Sequence, residues 1–215
     1  SVGSCYFCNQ IHPMKRLIAV LFILHTTAIS AQSVYQNEII TERHEKDEEL
    51  ESRKHSPLQK VDRKAFSHLN YFDVDEGWNK TADFSLIIDG EVLDIMTSIG
   101  KVKQFQTYGM ITFNNGQRMD TLYAYKRIWP EGYVSPYPPS LFLPFKDLTT
   151  GEETYGGGRY LDINIPEGDG EIELDFNRCY NPYCAYGGGF SCPIPPTVNF
   201  VDVKVEAGEQ QYSAH

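Results

Sequence analysis

The sequence predicts a mainly β fold, either an antiparallel β-sandwich or a small open β-barrel, with one or two N-terminal α-helices. From about residue 80 onward, apolar and polar residues alternate with the period of two that is typical of half-buried strands, and turn residues separate the runs. Before that point, charged and apolar residues recur at helical spacing. We therefore expect one globular domain, in which a helical lead-in at 32–79 packs on an antiparallel β domain at 80–215.

The N-terminal stretch has the layout of a secretory signal peptide. Two basic residues follow Met14, an apolar run extends to Leu24, and small residues lead to Ala31. The apolar run is shorter than a membrane-spanning helix needs. We expect 14–31 to be a cleaved leader, the protein to be exported (periplasmic or extracellular), and no stable membrane insertion to remain after cleavage. Residues 1–13 are interpreted as lying upstream of the natural start.

Composition and charge exclude several classes of partner. The chain is 41% hydrophobic and 22% charged, which is ordinary for a globular domain. Without residues 1–31 it has 17 basic and 29 acidic residues, a formal charge of −12. Because there is no basic patch, neither nucleic acid nor an anionic membrane surface is an expected partner. We expect no cofactor, and the sequence leaves the oligomeric state open.

The lead-in is predicted to hold two helices. Residues 35–55 lack glycine and proline and place opposite charges four residues apart, as in Glu42–Lys46, which predicts a solvated helix. A partly disordered lead-in is the alternative. In the "SPLQ" stretch, Ser56 is expected to cap a second, short helix. The apolar face of that helix would consist of Leu58, Val61, Ala65, Phe66 and Leu69.

Turn signals divide the β domain into strands. Asp89-Gly90 predicts a two-residue hairpin turn, and this register places on one face the pairs Leu86 with Leu93, Phe84 with Ile95, and Ala82 with Thr97. A second hairpin is predicted to turn at 114–116, with Gly116 in the left-handed conformation. This three-residue loop would pair Ile111 with Met119 and Phe105 with Tyr125. Further strands are predicted at 159–165, 171–176 and 198–206.

Several motifs resemble one bacterial and archaeal family. They are "LFLPFKDLTTGEETYGGGRYLDI", "LDFNRCYNPYCAY", "SCPIPP" and "VKVEAGE", together with "SPL" at 56–58. The resemblance covers most of residues 50–209, and the family is the one catalogued as domain of unknown function 1684. It implies that 145–196 is the family's signature region. It also implies that Cys179, where the family usually has a small residue, is particular to this chain. The resemblance implies no activity.

The three cysteines after the leader predict one disulfide. An exported chain meets an oxidising compartment, where cysteines tend to pair. Cys184 and Cys192 flank the flexible loop "AYGGGFS" and are the favoured pair; Cys179–Cys184 is the alternative. Cysteine–histidine catalysis and a zinc site are disfavoured because no histidine lies near this segment, so no metal is expected.

The "ETYGGGRY" segment contains a candidate ligand-binding arginine. Three glycines leave space beside Arg159, whose guanidinium would suit a carboxylate or phosphate in a cleft. The alternative is a bulged turn in which Arg159 pairs with Asp147, Asp162 or Asp175. A nucleotide-binding loop is not expected, because the following "RYLDINI" alternates as a strand and does not open a helix.

Polar and aromatic residues around these two motifs are expected to line one pocket. Asp175 and Asn177 share one face of a strand, although they would also serve to satisfy local turn backbone. The leading hypothesis is an exported protein that binds a small polar or anionic ligand through Tyr155, Arg159, Tyr160, Asp175, Asn177, Tyr180 and Asn181. One alternative is a hydrolase that uses Asp175 or Glu153 with Arg159. The other is a structural or partner-binding envelope protein.

Overall fold

A computed structural model describes residues 34–52, 54 and 56–213. Residues 34–51 form helix α1, and Lys60–Ala65 forms helix α2. The chain divides into two compact units, Ser1–Ile40 and Thr41–His215, and the second contains the sheet. The predicted leader and its cleavage point lie outside the described residues. Within the described ranges, no helix is long and apolar enough to cross a membrane.

The mainly β prediction is confirmed. The described residues form eight strands: β1 (Asn79–Leu86), β2 (Val92–Met96), β3 (Val102–Asn114), β4 (Met119–Arg127), β5 (Leu141–Asp147), β6 (Arg159–Ile163), β7 (Gly170–Asp175) and β8 (Phe200–Val201). One sheet contains them in the order β6-β5-β4-β3-β1-β7, with β2 paired to β3 and β8 paired to β5. The sheet is mostly antiparallel and curls into a half-barrel, which corresponds to the open barrel of the prediction.

The core lies on the inner face of the curled sheet. Each strand sends alternate apolar residues into it, because successive side chains of a strand point to opposite faces. Examples that are at most 3% exposed are Phe84, Ile111, Leu122, Leu143 and Leu161. The segment that follows β8 adds Val203, Val205 and Ala207 at every second position. The strand alternation in the sequence therefore marks the core correctly.

The predicted Asp89-Gly90 hairpin is wrong. β1 and β2 do not pair with each other; they lie end to end along the same edge of β3, with 83–86 opposite 109–112 and 92–96 opposite 102–106. The link between them runs close to β3. A Cβ on Gly90 would lie 1.9 Å from the carbonyl oxygen of Thr107. The Asp-Gly dipeptide therefore makes an irregularity within one long sheet edge, and the three predicted cross-strand pairs do not form.

Gly90 is expected to be intolerant of any side chain. We expect Gly90→Ala to lower the free energy of unfolding by about 1–3 kcal/mol, because the new methyl group would meet fixed strand backbone. Urea unfolding followed by circular dichroism measures this change. Gly168→Ala is the matched control, since a Cβ on this glycine of the loop between β6 and β7 has nothing within 4 Å. Equal losses in the two variants would contradict this account of Gly90.

The β3–β4 hairpin has a longer turn than the sequence predicts. Asn114 lies opposite Met119, so the loop contains four residues, and Ile111 pairs with Leu122. The side chain of Asn115 organises this loop. Its Oδ1 accepts hydrogen bonds from the backbone N–H groups of Gln117 and Arg118, at 2.8 and 2.9 Å. The predicted register is wrong because this side-chain turn replaces the expected backbone turn.

Two further features of this hairpin concern its backbone. Gly116 has φ 99°, so its predicted left-handed conformation is confirmed. A bulge between Thr107 and Gly109 shifts the register nearer the start of β3, and Phe105 pairs with Arg127 there. Arg127 is two residues from the predicted partner, Tyr125. The longer turn shifts the register by three residues, as at Ile111, and the bulge, which adds one residue to β3, reduces the shift to two.

Helix α2 differs from the prediction in its start and in its contacts. It begins at Lys60 and buries none of its residues; Val61 is 78% exposed. Leu58 and Leu69, which flank the helix, pack in a small apolar cluster, and Phe66 is partly buried against it. Ser56 Oγ accepts a hydrogen bond from the N–H of Leu58 at 3.1 Å, so it caps a turn before the helix and not the helix itself.

The strands predicted at 159–165 and 171–176 correspond to β6 and β7, whereas the one predicted at 198–206 contains only the two-residue β8. Strand β5 was not predicted, and it contains Pro144. β6 and β7 follow each other in the chain and are joined by 164–169. They do not pair, and they form the two ends of the sheet order. Because β6 and β7 do not pair, a gap remains between them, and the candidate site lies in that gap.

Candidate functional site

Arg159 is enclosed in the protein interior. It is 1% exposed, and its Nη2 donates to Asp147 Oδ2 at 2.7 Å and to the carbonyl oxygen of Val205 at 2.8 Å. Its Nη1 donates to the carbonyl oxygens of Ala207 and Glu209. Of the three possible partners, Asp147, Asp162 and Asp175, it is therefore Asp147 that pairs with Arg159. The open pocket expected around Arg159 does not fit this geometry, because both terminal nitrogens of its guanidinium donate to protein acceptors and the side chain is shielded from solvent.

The glycines before Arg159 serve the backbone turn that places it there. Gly158 has φ 88°, and a Cβ on it would lie 2.7 Å from the carbonyl oxygen of Phe145. Only glycine adopts this conformation without strain and permits this close approach. Arg159 then lies directly opposite Phe145 at the end of the β5–β6 pair. Asp147, two residues further along β5, is held by Thr149, whose N–H and Oγ1 both donate to Asp147 Oδ1.

Asp175 and Asn177 satisfy local backbone at the end of β7. Asp175 Oδ1 accepts from the N–H of Asn177 at 3.0 Å and caps the short 3-10 helix Phe176–Arg178. Asp175 Oδ2 accepts from Arg178 Nη1 at 2.7 Å. Asn177 exchanges two hydrogen bonds with the backbone of Asp75, at 2.8 and 3.0 Å. The structure therefore supports the local role that was the alternative for these two residues.

Glu153, the second candidate catalytic carboxylate, forms a surface ion pair with Lys204. The hydrogen bond from Lys204 lowers the pKa of Glu153, which is opposite to what a general acid near neutral pH requires. Asp175 is paired with Arg178 and Arg159 with Asp147. The structure thus gives these three residues separate partners and does not assemble them into a hydrolytic site.

Asn181 belongs to a buried network around Glu209, a residue that the sequence analysis missed. Glu209 is 0% exposed; its Oε2 accepts from the N–H of Asn181 at 3.0 Å. Its Oε1 accepts from Asn181 Nδ2 at 2.8 Å and from Tyr186 Oη at 2.6 Å. Burial raises the pKa of Glu209, while the charge of Lys46 and these hydrogen bonds oppose the rise. The signal for its burial was present, because Glu209 continues the inward alternation of Val205 and Ala207.

Tyr160 and Tyr180 join the start of β6 to the segment that follows the short helix Phe176–Arg178. Their backbones pair, with the N–H of each donating to the carbonyl oxygen of the other at 2.9 and 3.0 Å. Tyr160 Oη donates to the carbonyl oxygen of Pro193 at 2.5 Å, and Tyr180 Oη donates to Asp162 Oδ2 at 2.6 Å. Burial raises the pKa of both hydroxyls, so both stay protonated and act as donors. Tyr155, by contrast, is half-buried beside Gly157.

The predicted disulfide between Cys184 and Cys192 is present, with 6.3 Å between the two Cα atoms. Cys179 is a free, buried thiol, and burial raises its pKa. The bridged loop is attached to the β2–β3 turn. Ser98 Oγ donates to the carbonyl oxygen of Phe190 at 3.0 Å, and Lys103 Nζ donates to that of Ser191 at 2.5 Å. The disulfide therefore closes the loop 184–192, and these hydrogen bonds fasten the loop to one end of the sheet.

Removing the disulfide is expected to reduce stability and to leave Cys179 unreactive. We expect Cys184→Ser with Cys192→Ser to lower the free energy of unfolding by about 2–3 kcal/mol, the entropy of closing a short loop. Urea unfolding measures this value. Native wild-type protein should take up no iodoacetamide without reductant, since Cys179 is buried and the other two cysteines are bridged. Labelling of Cys184 in the native, unreduced protein would contradict the pairing.

An open cleft of about 670 Å³ separates β6 from β7. The loop 164–169 bounds one end, and Asp175 and Arg178 line the other. Its apolar lining consists of Leu161 and Ile163, which are buried, and of Ile165 and Ile172, which are only partly covered. Of the seven candidate ligand-binding residues, Asp175 alone lines this cleft.

The cleft is strongly acidic. Six carboxylates line it, those of Asp162, Glu167, Asp169, Glu171, Glu173 and Asp175. Arg178 is the one cation among the lining residues, and it is already bound by Glu42 at 2.9 Å and by Asp175 at 2.7 Å. The remaining charge favours a cationic ligand. The carboxylates do not converge on one point: no group of three or more potential metal ligands occurs in the described part of the chain.

A depression of the opposite charge lies at α2. It has a volume of about 620 Å³ and is lined by Lys60, Arg63, Lys64 and Glu51. Both lysines are exposed, and none of the four residues belongs to the motifs of the signature region. Exposed lysines on a surface helix are ordinary for a soluble domain and do not form a preorganised anion site. The acidic cleft is therefore the candidate site.

Comparison with known proteins agrees with the sequence and the fold. Residues 64–210 match the family described as "Protein of unknown function (DUF1684)". The solution NMR structure of an uncharacterized protein from Haloarcula marismortui is similar to this chain with a TM-score of 0.64 and 31% sequence identity. The similarity covers 84% of this chain and 96% of that one. No curated protein matches the chain. The chain belongs to the DUF1684 family.

Proposed function

We propose that this is a binding protein that holds a polar cation in the cleft between β6 and β7. The observation that carries the proposal is the excess of carboxylates in a cleft whose one lining cation is already paired. Its volume of about 670 Å³ lies in the range of small-molecule sites. The sequence-based hypothesis expected a polar or anionic ligand in this region. Of the residues in that hypothesis, Asp175 lines the cleft. The ligand proposed here is cationic, whereas the sequence-based hypothesis had a polar or anionic one.

Binding is favoured over catalysis because the candidate catalytic groups are neutralised by other residues. Asp175 has Arg178 as its partner and Glu153 has Lys204. Arg159, the expected anion-binding residue, is enclosed with Asp147. A general acid or base must instead have a free position for the proton and a reacting atom within reach.

Titration with spermidine tests the proposal by calorimetry. We expect saturable binding at low ionic strength that weakens as salt is added, because exposed charges are screened. Replacing two exposed lining residues, in the variant Glu167→Gln with Glu171→Gln, should weaken binding about threefold to tenfold. Glu91→Gln, on an exposed turn outside the cleft, is the matched control. Absence of spermidine binding, or equal binding of citrate, would overturn the proposal.

We also propose that the protein is exported. The leader pattern at 14–31 and the disulfide between Cys184 and Cys192 support this, because disulfides persist mainly in oxidising compartments. Mass spectrometry of the protein purified from its host should find a chain that begins near Gln32. A mature chain that retains Met14 would contradict export with cleavage.

A further inference from the structure

The cleft lies between two sheet edges. β7 pairs with β1 from Gly170 to Asp175, and no strand in the described residues pairs with its other edge. β6 pairs with β5 from Arg159 to Ile163. On its other side, β6 is bridged only at Tyr160, to Tyr180. Beyond that bridge the two edges face the cleft without a ladder of hydrogen bonds between them.

The backbone of β6 is oriented to extend that single bridge. Tyr160 directs both its N–H and its carbonyl oxygen toward Tyr180, away from β5. Backbone groups of a strand alternate with a period of two, so the N–H and the carbonyl oxygen of Asp162 point to the same side. A strand that entered the cleft would find this donor and acceptor already aligned.

The side chains of the two edges alternate in a way that specifies a sequence for such a strand. On the inner side, Leu161 and Ile163 belong to the core, and Ile172 packs on it with incomplete cover. On the outer side, Asp162 and Glu171 are exposed carboxylates. A strand between them would direct one set of side chains toward apolar groups and the other toward carboxylates. The first set should be apolar and the second basic.

We propose that the ligand of the cleft is an extended basic peptide segment that alternates apolar and basic residues and adds as a strand between β6 and β7. This inference rests on the proposed function and specifies its ligand. β6 is open only beyond the Tyr160 bridge, whereas β7 is open along its six residues, so the segment spans up to about 20 Å at the usual rise of a strand. A partner protein with such a segment is the occupant that uses both the open edges and the acidic rim.

A polyamine and a second copy of this chain are two other possible ligands, and each makes fewer favourable contacts with the cleft. A polyamine meets the carboxylates but forms no ladder with the strand edges and covers little of Ile172. A second copy of this chain would bring its own acidic edge, Glu171 and Glu173, against the same residues, and like charges placed opposite each other are destabilising. Charges on an edge strand are a usual protection against such self-pairing.

Fluorescence anisotropy with labelled five-residue peptides tests the proposal on the whole protein. The probe is acetyl-Lys-Val-Lys-Val-Lys-amide, and the control is acetyl-Lys-Lys-Lys-Val-Val-amide, which has the same composition and charge. We expect the alternating peptide to bind at least about tenfold more tightly. N-methylation of both valine amides, or of the second and third lysine amides, should each weaken binding about tenfold, because each set faces one edge. Hydrogen exchange of the Asp162 amide should slow when the alternating peptide binds.

The outcomes separate this inference from the proposed function. Equal binding of both peptides together with spermidine binding would retain a cation site and overturn strand addition. Absence of binding by both peptides and spermidine would overturn both proposals. Unchanged peptide affinity in the variant Glu167→Gln with Glu171→Gln, at low salt, would place the peptide elsewhere and overturn the inference. A dimer in sedimentation velocity that the alternating peptide does not dissociate would make a second copy the occupant.

Discussion

Replacement of Arg159 with lysine is expected to lower the free energy of unfolding by about 3–5 kcal/mol. The guanidinium donates to Asp147 and to the carbonyl oxygens of three residues after β8, namely Val205, Ala207 and Glu209. It thus connects the β5–β6 pair to the segment that closes the core. A lysine ammonium is a compact donor that cannot match this planar fork of hydrogen bonds.

The loss is large because both members of the pair are buried. The side chains of Arg159 and Asp147 are 1% and 0% exposed. A displaced ammonium would leave the Asp147 carboxylate without its close partner in a medium that solvates charge poorly. It would also leave buried carbonyl oxygens without donors, at a cost of about 1–3 kcal/mol each if no water replaces them.

Arg118→Lys is the matched control. Arg118 also forms two charged contacts, with Asp120 at 3.0 Å and Asp202 at 3.1 Å, but its side chain is 55% exposed. Exposed ion pairs contribute little, so this variant should lose far less stability than Arg159→Lys. Urea unfolding of both variants measures the contrast. If Arg159→Lys kept wild-type stability and lost spermidine or peptide binding, Arg159 would be a ligand residue after all.

The burial of Arg159 could have been inferred from its position in β6. Arg159, Leu161 and Ile163 occupy alternate positions, as do Phe145 and Asp147 in β5. Since alternate residues share a face, the same pattern that marks the leucine and isoleucine as core marks the arginine and the aspartate as inward-facing. The preceding glycines suggested an open approach to Arg159, but Gly158 is needed for the turn that precedes β6.

The cleft, by contrast, was beyond what a single sequence shows. The alternation at 159–165 and 171–176 predicts the two strands, and it does not indicate which strands pair. Whether consecutive strands form a hairpin depends on the curl of the whole sheet. The same limitation made the Asp89-Gly90 hairpin wrong, because that dipeptide is compatible with a turn or with a bulge along β3. The fold class and the disulfide depend on composition and local spacing, and these were predictable.

Replacement of Glu209 with leucine is expected to lower the free energy of unfolding by about 3 kcal/mol or more. The carboxylate accepts from the N–H and Nδ2 of Asn181 and from Tyr186 Oη. Leucine has a similar size and accepts no hydrogen bond, so three buried donors would lose their acceptor, at about 1–3 kcal/mol each. Removal of a buried charge offsets part of this loss. Urea unfolding at neutral pH measures the net change.

Glu209→Gln separates the hydrogen bonds from the charge. The new amide keeps one acceptor and adds a donor. Asn181 Oδ1 is buried and accepts no hydrogen bond from any residue that the structure describes, so a turn of the Asn181 amide offers it to that donor. We therefore expect the glutamine variant to lose much less stability than the leucine variant. Equal losses in both would mean that the carboxylate's charge, and not its acceptor atoms, holds the network.

The stability difference between wild type and Glu209→Gln is expected to decrease as pH rises. Burial is the largest influence on Glu209 and raises its pKa above the ordinary 4.5. Between 4.5 and the raised value, the folded state therefore binds more protons than the unfolded state, and stability falls with pH. The contribution is fully present below pH 4.5 and is lost as pH passes through the raised pKa, whereas glutamine does not titrate. Urea unfolding at a series of pH values, from below 4.5 upward, measures the stability difference between wild type and Glu209→Gln. The exposed Glu206→Gln is the control. A difference that grows with pH would mean that the hydrogen bonds of Asn181 and Tyr186 outweigh burial and hold the pKa of Glu209 below 4.5.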